Sequence, residues 1–174
     1  IEIEHIRIDF KDYTNNFPTQ WEEFTKEKNI KGAFHGIENS NLLSTIFAKG
    51  ETAKEEIASA FKQGIDKKDN LQFHFKIGSN YFLELAKLKA FRILWESKTG
   101  TTPYIFASTT LTNKEEEYAY NNILRSTTEC MSAIFGGANA IMVNSYNHSF
   151  EMPTEFSERI ARNQLLILQQ ESYL

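Results

Sequence analysis

The sequence predicts an α/β fold in which parallel strands are joined by helical crossovers. Five short apolar runs rich in Ile and Phe alternate with five segments that carry helix signals. A chain of 174 residues with 41% hydrophobic content is also long enough to bury one sizeable core. Alternation of this kind fits either a doubly wound sheet or part of an eight-unit barrel, with about five βα units in one domain.

The predicted strands are short and apolar, and turn residues bound each of them. They cover residues 3–10, 42–48, 71–77, 103–108 and 140–144. The sequence opens directly on the alternating residues Ile1 and Ile3. We therefore expect the chain to be cut from a longer protein.

The first two helical segments are marked by different signals. A helix is expected around residues 21–28, which begin at Trp21. The next helix has a capping box, because Glu55 follows Thr52 by three residues, and Gly64 is placed to end it.

The last three helices also have start and stop signals. Ser79 is predicted to cap the third, whose apolar residues fall on one face at about 100° per residue. This face comprises Phe82, Leu83, Ala86, Ala90, Ile93 and Leu94. The fourth covers residues 120–135 and stops at Gly136-Gly137, and the fifth opens at Pro153-Thr154 with Glu155 in its first turn.

Composition excludes several classes of function. The net charge is −4, the pI is near 5.6, and the longest basic run is Lys67-Lys68, so the chain lacks the basic surface of nucleic-acid binders. The lone cysteine, Cys130, cannot form an internal disulfide, which is typical of the reducing cytoplasm. No apolar stretch approaches the ~20 residues of a membrane span. We expect a cytoplasmic protein.

The residues themselves indicate little chemistry. The four histidines are scattered, and no two are spaced as metal ligands on one helix face. His74 lies inside a predicted strand and is interpreted as a satisfied core residue, and Cys130 as a buried, inert thiol. G-x-G-x-x-G, P-loop and G-x-S-x-G motifs are missing. Residue patterns alone therefore define a cytoplasmic α/β domain.

Three long motifs occur in order along the chain. They are Ile77-Gly78-Ser79-Asn80-Tyr81-Phe82 with Ala86-Lys87 and Arg92-x-Leu94-Trp95, Tyr120 to Thr127 before Gly136-Gly137, and Phe156 to Gln164 with Glu171-Ser172. They resemble the IG-x-N-(F/Y)-(F/Y), YNN-x-x-R-T…GG and S-x-R-I-A-R-N-x-Q motifs of methylmalonyl-CoA mutases. The resemblance runs from about Ser44 to Leu174. Residues 1–43 match poorly, which favours the more divergent small subunit of that family.

The resemblance implies a fold and an activity for the parent complex. The family uses a TIM-type barrel that holds acyl-CoA along its axis, and a separate C-terminal cobalamin-binding domain that this chain lacks. Homolysis of the cobalt–carbon bond of adenosylcobalamin starts a radical rearrangement that interconverts methylmalonyl-CoA and succinyl-CoA in propionate metabolism. Residues 1–174 would thus be an incomplete barrel, with candidate sites at the C-terminal ends of strands.

The positions that carry family function hold other residues here. Thr45 stands at the catalytic histidine of the active subunit, and a hydroxyl cannot replace an imidazole near neutral pH. Asn70 and Gln72 stand where an arginine and a serine hold the substrate, and an amide does not replace a guanidinium. The Q-T-S-G turn is replaced by residues 106–109, and His148 falls in the stretch where the family has D-E-A. The resemblance therefore implies no catalytic, substrate-binding, cofactor-binding or metal-binding residue on this chain.

Several polar residues of the motifs are retained. They are interpreted as bridges between helices and caps of strand ends, not as ligand contacts: Asn80, Asn122, Arg125, Arg159, Arg162 and Asn163.

The leading hypothesis is a barrel fragment of the small subunit that pairs with the large catalytic subunit in a heterodimer. Adenosylcobalamin belongs to the parent complex and is not expected on this fragment. Open sheet edges predict self-association. The alternatives are a divergent, active cobalamin-dependent mutase that uses Thr45, Gln72 and His148 in new roles, and an unrelated α/β binding module with reversed strand order.

Overall fold

The computed structural model describes residues 5–8, 31–34, 43–67 and 70–174, with β1 and β2 defined by their backbone paths. It contains one parallel sheet of six strands and, over residues 43–174, four helices. The strands are β1 (His5–Ile8), β2 (Lys31–Phe34), β3 (Leu43–Phe47), β4 (Leu71–Ile77), β5 (Tyr104–Thr109) and β6 (Ala140–Met142). The helices are α1 (Ala53–Ile65), α2 (Tyr81–Thr99), α3 (Asn121–Gly136) and α4 (Glu155–Gln170).

The strands follow one another across the sheet in chain order, and every neighbouring pair is parallel. A doubly wound sheet reverses its order at a switch point, whereas a βα barrel does not. The predicted α/β class with a partial barrel arrangement is therefore confirmed. The reversed strand order expected of an unrelated α/β module does not occur among the described strands.

The core lies between the sheet and the helices. Phe73, Phe75 and Ile77 alternate along β4 and are almost completely buried, as expected for one face of a strand. They pack against Phe91 and Trp95 of α2, with ring centroids 4.6 to 4.9 Å apart for the Phe73–Trp95, Phe73–Phe91 and Phe75–Phe91 pairs. This layer fixes α2 over one face of β4.

The strand predictions were correct within about two residues for β3 to β6. The prediction of five strands was wrong in number, because β2 also occurs at Lys31–Phe34. Its short sequence, Lys-Gly-Ala-Phe, contains one large apolar residue and gives no alternation to detect. The helix expected around residues 21–28 lies outside the described residues.

The cap predicted for α1 is confirmed, since the Thr52 side chain accepts a hydrogen bond from the Glu55 backbone N–H. The predicted stop at Gly64 was wrong by a short distance, because the helix continues to Ile65. Gly64 is buried, and a Cβ there would lie 2.7 Å from Phe73 Cε1 and 2.9 Å from Trp95 Cζ3. Glycine is therefore required for close packing of α1 on the sheet.

Two predictions for α2 were wrong. Asn80, not Ser79, is the N-cap, because the Asn80 side chain accepts from the Leu83 N–H. The buried face comprises Lys87, Leu88, Phe91 and Trp95. Most of the apolar face predicted to be buried is exposed instead, including Phe82 at 79% and Ile93 at 68%.

The ends of the last two helices agree with the sequence signals. Gly137 caps α3 with φ of 85°, a left-handed conformation that glycine adopts without strain. Thr154 and Ser157 form a reciprocal capping box at the start of α4. No helix within the described stretches combines the length and apolar character needed to cross a bilayer.

Candidate functional site

The candidate site is the face of the sheet that points away from the helices, called here the axial face. Because β4 directs Phe73 and Phe75 to the helices, Gln72 and His74 point to the other side. Residues paired in register share a face, so the axial face of β3, β4 and β5 comprises Thr45, Phe47, Gln72, His74, Lys76, Tyr104, Phe106 and Ser108. A barrel arrangement encloses this face around its axis.

Thr45 and Gln72 are opposite each other in the β3–β4 register, and Gln72 Nε2 donates to Thr45 Oγ1 over 3.2 Å. Gln72 is buried with 2% of its surface exposed. Two positions predicted from sequence therefore meet, but their polar groups are used in a mutual hydrogen bond. Neither side chain changes its charge near neutral pH.

Asn70 lies one residue before β4 and is exposed. Its φ of 64° is in the left-handed region, which asparagine tolerates better than most residues. Its carbonyl accepts a hydrogen bond of 2.7 Å from the Ser44 N–H, so its backbone joins the starts of β3 and β4. The position belongs to the N-terminal end of the sheet, whereas barrel chemistry occurs at the C-terminal end.

His74 and Ser108 form the second polar pair of the axial face. His74 Nε2 and Ser108 Oγ are 2.7 Å apart, and both residues are buried. The imidazole lies between Phe47 and Phe106, with ring centroids at 5.1 and 4.7 Å. The interpretation of His74 as a core residue is confirmed, and its Nε2 is paired with Ser108. Its partner was missed, because 34 residues separate the two and only the strand register brings them together.

The tips of β5 and β6 are joined by side-chain hydrogen bonds. Thr109 Oγ1 accepts from the Asn144 N–H over 2.9 Å, and Asn144 Nδ2 donates to the Thr109 carbonyl. Thr109, which the resemblance implies stands at a glycine position, is buried. The polar groups at this pair of strand ends are therefore directed to each other.

His148 lies apart from the Thr45–Gln72 pair. Its backbone N–H donates to the Ser145 carbonyl, and its exposed side chain lines a cavity of about 560 Å³ between β6, the following loop and α4. Neither Thr45 nor Gln72 lines this cavity. Of the three residues that the active-mutase alternative would use, Thr45 and Gln72 are in contact, whereas His148 lies at a different place in the fold.

The retained polar residues divide into two groups. Asn122 is completely buried, donates to the carbonyls of Glu115 and Tyr146, and accepts from the Glu115 N–H, so it joins the loops that follow β5 and β6. Arg125 binds Asn122 Oδ1 at 2.7 Å and Glu115 at 2.9 Å. Asn122 and Arg125 therefore have a structural role, as predicted, whereas Asn80 caps the start of its own helix α2 and not a strand end.

The retained residues of α4 behave differently. Arg159 lies over the Phe156 ring of its own helix, 5.5 Å from the centroid. Arg162 and Asn163 are exposed, and Arg162 lines the cavity beside His148. Their predicted role as bridges between helices was wrong within the described part of the chain.

Two buried lysines support the strand ends, and sequence reasoning did not find them. Lys114 Nζ is 2.8 and 3.0 Å from the two carboxylate oxygens of Glu129, and both side chains are fully buried. Burial raises the pKa of Glu129, although its hydrogen bonds to Lys114 and Asn113 act in the opposite direction. This network holds the loop after β5 against α3.

Lys87 of α2 is the second buried lysine. It is 2.7 Å from Glu56 of α1 and donates to the Lys76 carbonyl near the end of β4. Burial raises the pKa of Glu56 above its ordinary value, against the opposing effect of Lys87. A lysine inside an apolar helix pattern was the only signal in the sequence that could have indicated this cluster.

Cys130 and the possible metal ligands offer no reactive centre. Cys130 is buried in α3, as predicted, and burial raises the pKa of its thiol to about 12. Within the described ranges, no group of three His, Cys, Asp or Glu residues could hold a metal ion.

Comparison with known proteins agrees with the motifs. The profile of the family described as methylmalonyl-CoA mutase matches residues 44–174. A methylmalonyl-CoA mutase of Rhizobium meliloti is 37% identical over 68% of this chain and 18% of its own length. The methylmalonyl-CoA mutase small subunit of Porphyromonas gingivalis is 40% identical over 68% of this chain and 19% of its own.

A third relative extends the coverage. The methylmalonyl-CoA mutase of Escherichia coli is 32% identical over 83% of this chain and 22% of its own length. The chain therefore spans about a fifth of the curated relatives it matches. The family profile covers well over half of the chain, in agreement with the parallel βα arrangement and the three motifs, so the chain belongs to the methylmalonyl-CoA mutase family.

Proposed function

We propose that this chain is part of the barrel domain of a small, non-catalytic mutase subunit that pairs with and stabilises a large catalytic subunit. The large subunit would interconvert methylmalonyl-CoA and succinyl-CoA in the cytoplasm. Residues 1–174 would form an incomplete barrel, with the cobalamin-binding domain outside this chain.

The observation that carries the proposal is the pairing of polar groups on the axial face. Gln72 Nε2 bonds Thr45, and His74 Nε2 bonds Ser108, so these side chains at the centre of the face are directed to each other. Gln72, His74, Phe106 and Ser108 are each less than 8% exposed. A barrel that holds an acyl thioester along its axis needs free donors and open space there. The centre of this face provides little of either, whereas Lys76 is exposed at the end of β4 and Phe106 borders the cavity beside His148.

We infer that the residues at the β5 tip do not fit adenosylcobalamin. The resemblance implies a glycine where Thr109 stands; Thr109 is buried, and its polar groups bind Asn144, so they would not be available to a corrin ring. We propose that the cofactor acts on the large subunit of the parent complex.

The comparisons are compatible with a supporting subunit. One relative is itself named a small subunit, and it is 40% identical to this chain. The large catalytic subunit is accordingly proposed as the partner. The outer edges of β1 and β6 have no further strand among the described residues, so self-association through sheet edges stays a prediction.

Titration of the chain with adenosylcobalamin and with methylmalonyl-CoA tests the proposal. We expect no heat of binding for either compound at micromolar concentrations, and turnover only after a family large subunit is added. Micromolar affinity for either compound contradicts the proposal. Turnover by the chain alone, abolished in Thr45→Ala, would instead establish the divergent-mutase alternative.

Opening the axial face provides a second measurement. Phe106→Ala removes a buried ring next to His74 and creates a cavity there. If bulk on this face excludes the acyl thioester, this variant should bind methylmalonyl-CoA more tightly than the wild type. Phe73→Ala, which opens a cavity on the helix face instead, is the matched control and should not change the affinity.

A further inference from the structure

The exposed side of α2 carries a regular stripe of apolar and small residues, called here the outer seam. It comprises the apolar Leu83, Ala86, Ala90 and Ile93 and the small, polar Ser97, which are all exposed. Successive members are separated by three, four, three and four residues, which is the heptad spacing of a helix that packs against another helix. Leu83 is 47% and Ile93 is 68% exposed.

The outer seam cannot be covered by the sheet of its own domain. The face of α2 that contacts the sheet comprises Lys87, Leu88, Phe91 and Trp95. At 100° per residue, the middle of the outer seam lies on the far side of the helix. A seam of about four turns in this position, with apolar residues at four of its five positions, is more than scattered surface hydrophobicity and is a candidate contact surface.

The charges beside the outer seam indicate what that partner is. Lys89 and Glu96 border the same side of the outer seam, and both are exposed. They are seven residues apart and too distant to pair within one helix, because such pairs need a spacing of three or four. Neither has an ionic partner among the described residues.

A second α2 in antiparallel orientation complements these charges. When Ala90 of one copy faces Ile93 of the other, the heptad geometry places Lys89 of the first beside Glu96 of the second. A two-fold axis repeats both contacts, since the same two residues occur on each copy. The small Ala86 and Ala90 allow close approach, and Ile93 fills the space opposite Ala90. The sequence of α2 is thus complementary to itself in one register.

We propose that the outer seam is a contact between two copies of this chain, with their α2 helices antiparallel and Lys89 paired with Glu96 across the interface. This contact is separate from the sheet edges and does not depend on the proposed function. A single helix from each copy buries less than the roughly 1,200 Å² of a standard interface, so the dimer should dissociate in the micromolar range.

Sedimentation velocity over a concentration series tests the contact. Ile93→Glu should weaken the dimer by on the order of 100-fold, because it places a charge in the centre of the interface. Ile167→Glu is the matched control, since Ile167 is 55% exposed on α4 and lies outside the outer seam. Circular dichroism confirms that both variants are folded. Equal dissociation by the two variants, or a monomeric wild type, overturns the proposal.

Charge exchange tests the register. Lys89→Glu and Glu96→Lys each place like charges opposite one another, and each should weaken its homodimer by on the order of tenfold. Mixed together, the two variants regain two opposite-charge contacts and should form a heterodimer as stable as the wild-type dimer. Failure of the mixture to associate overturns the antiparallel register. If the outer seam binds a large mutase subunit more tightly than it binds a second copy of this chain, the choice of partner is overturned.

Discussion

Replacing Lys114 by methionine should destabilise the chain strongly at neutral pH. Lys114 Nζ contacts both oxygens of Glu129 and also Asn113 Oδ1 at 2.8 Å, and the lysine and glutamate side chains are fully buried. Removal of one member of a buried ion pair leaves the other charge without compensation, which costs about 3–5 kcal/mol. We expect a loss in this range at pH 7.5, because Asn113 remains as a partner of only one carboxylate oxygen.

The loss should depend on pH. Burial raises the pKa of Glu129 in the folded chain above its value in the unfolded chain. Protonation of Glu129 therefore stabilises the folded chain fully at pH values below the unfolded-state pKa, and this stabilisation disappears as the pH rises through the folded-state pKa. Lys114→Met removes a group that lowers this pKa, and the folded pKa rises further. The variant should therefore approach the stability of the wild type as the pH falls toward the ordinary pKa of a glutamate.

Urea denaturation followed by tryptophan fluorescence from pH 4.5 to 8 measures both effects. The control is Lys114→Met with Glu129→Met, in which both partners become apolar and most of the loss should be recovered. A loss below about 1 kcal/mol at pH 7.5, or a loss that is the same at all pH values, would refute the role given to this pair.

Three further outcomes follow from local geometry. Gly64→Ala should destabilise the chain by about 1–3 kcal/mol in urea denaturation, because the new methyl group meets Phe73 and Trp95. The cost of this clash exceeds the gain in helix propensity, and an unchanged denaturation midpoint would contradict the packing. Thr154→Ala breaks the capping box of α4 and should cost about 1 kcal/mol by the same assay, with retention of full stability as the contrary result. Cys130 should react with a thiol reagent at pH 8 only in denaturant, since its pKa is about 12 and the native side chain is buried; fast labelling of the folded chain would argue against this environment.

The parts of the fold that depend on local patterns could be predicted from the sequence. The β4 segment alternates apolar and polar residues from Leu71 to Ile77, and Thr154 precedes α4 at the spacing of a cap, so both are recognised without knowledge of the neighbours. The orientation of α2 could not be predicted in this way. Both faces of α2 carry apolar residues at helical spacing. Lys87 lies on the face that is buried, and a lysine in a sequence normally indicates an exposed face. Only the two carboxylates from Glu56 and Glu84 make burial of this lysine possible.

The sequence predicts which residues stand at the functional positions of the family, but not how those residues contact one another in the fold. Resemblance assigned Thr45 and Gln72 to functional positions, yet nothing in the sequence shows that they bond to each other. That contact depends on the register between β3 and β4, which spans 27 residues of chain. The His74–Ser108 pair depends in the same way on the register between β4 and β5.

Under the proposed function, the two polar pairs explain how a barrel interior could lose a ligand and remain stable. Buried polar groups that once faced a substrate would each be destabilising when left without a partner. On this axial face, Gln72 Nε2 meets Thr45 Oγ1 and His74 Nε2 meets Ser108 Oγ on the adjacent strand, while Phe47 and Phe106 fill the space around the imidazole. Hydrogen bonds between neighbouring strands also fix the register, because a slip of one residue would move every polar side chain to the helix face. The contacts that we propose to close this face to an acyl thioester therefore also contribute to the specificity of the fold.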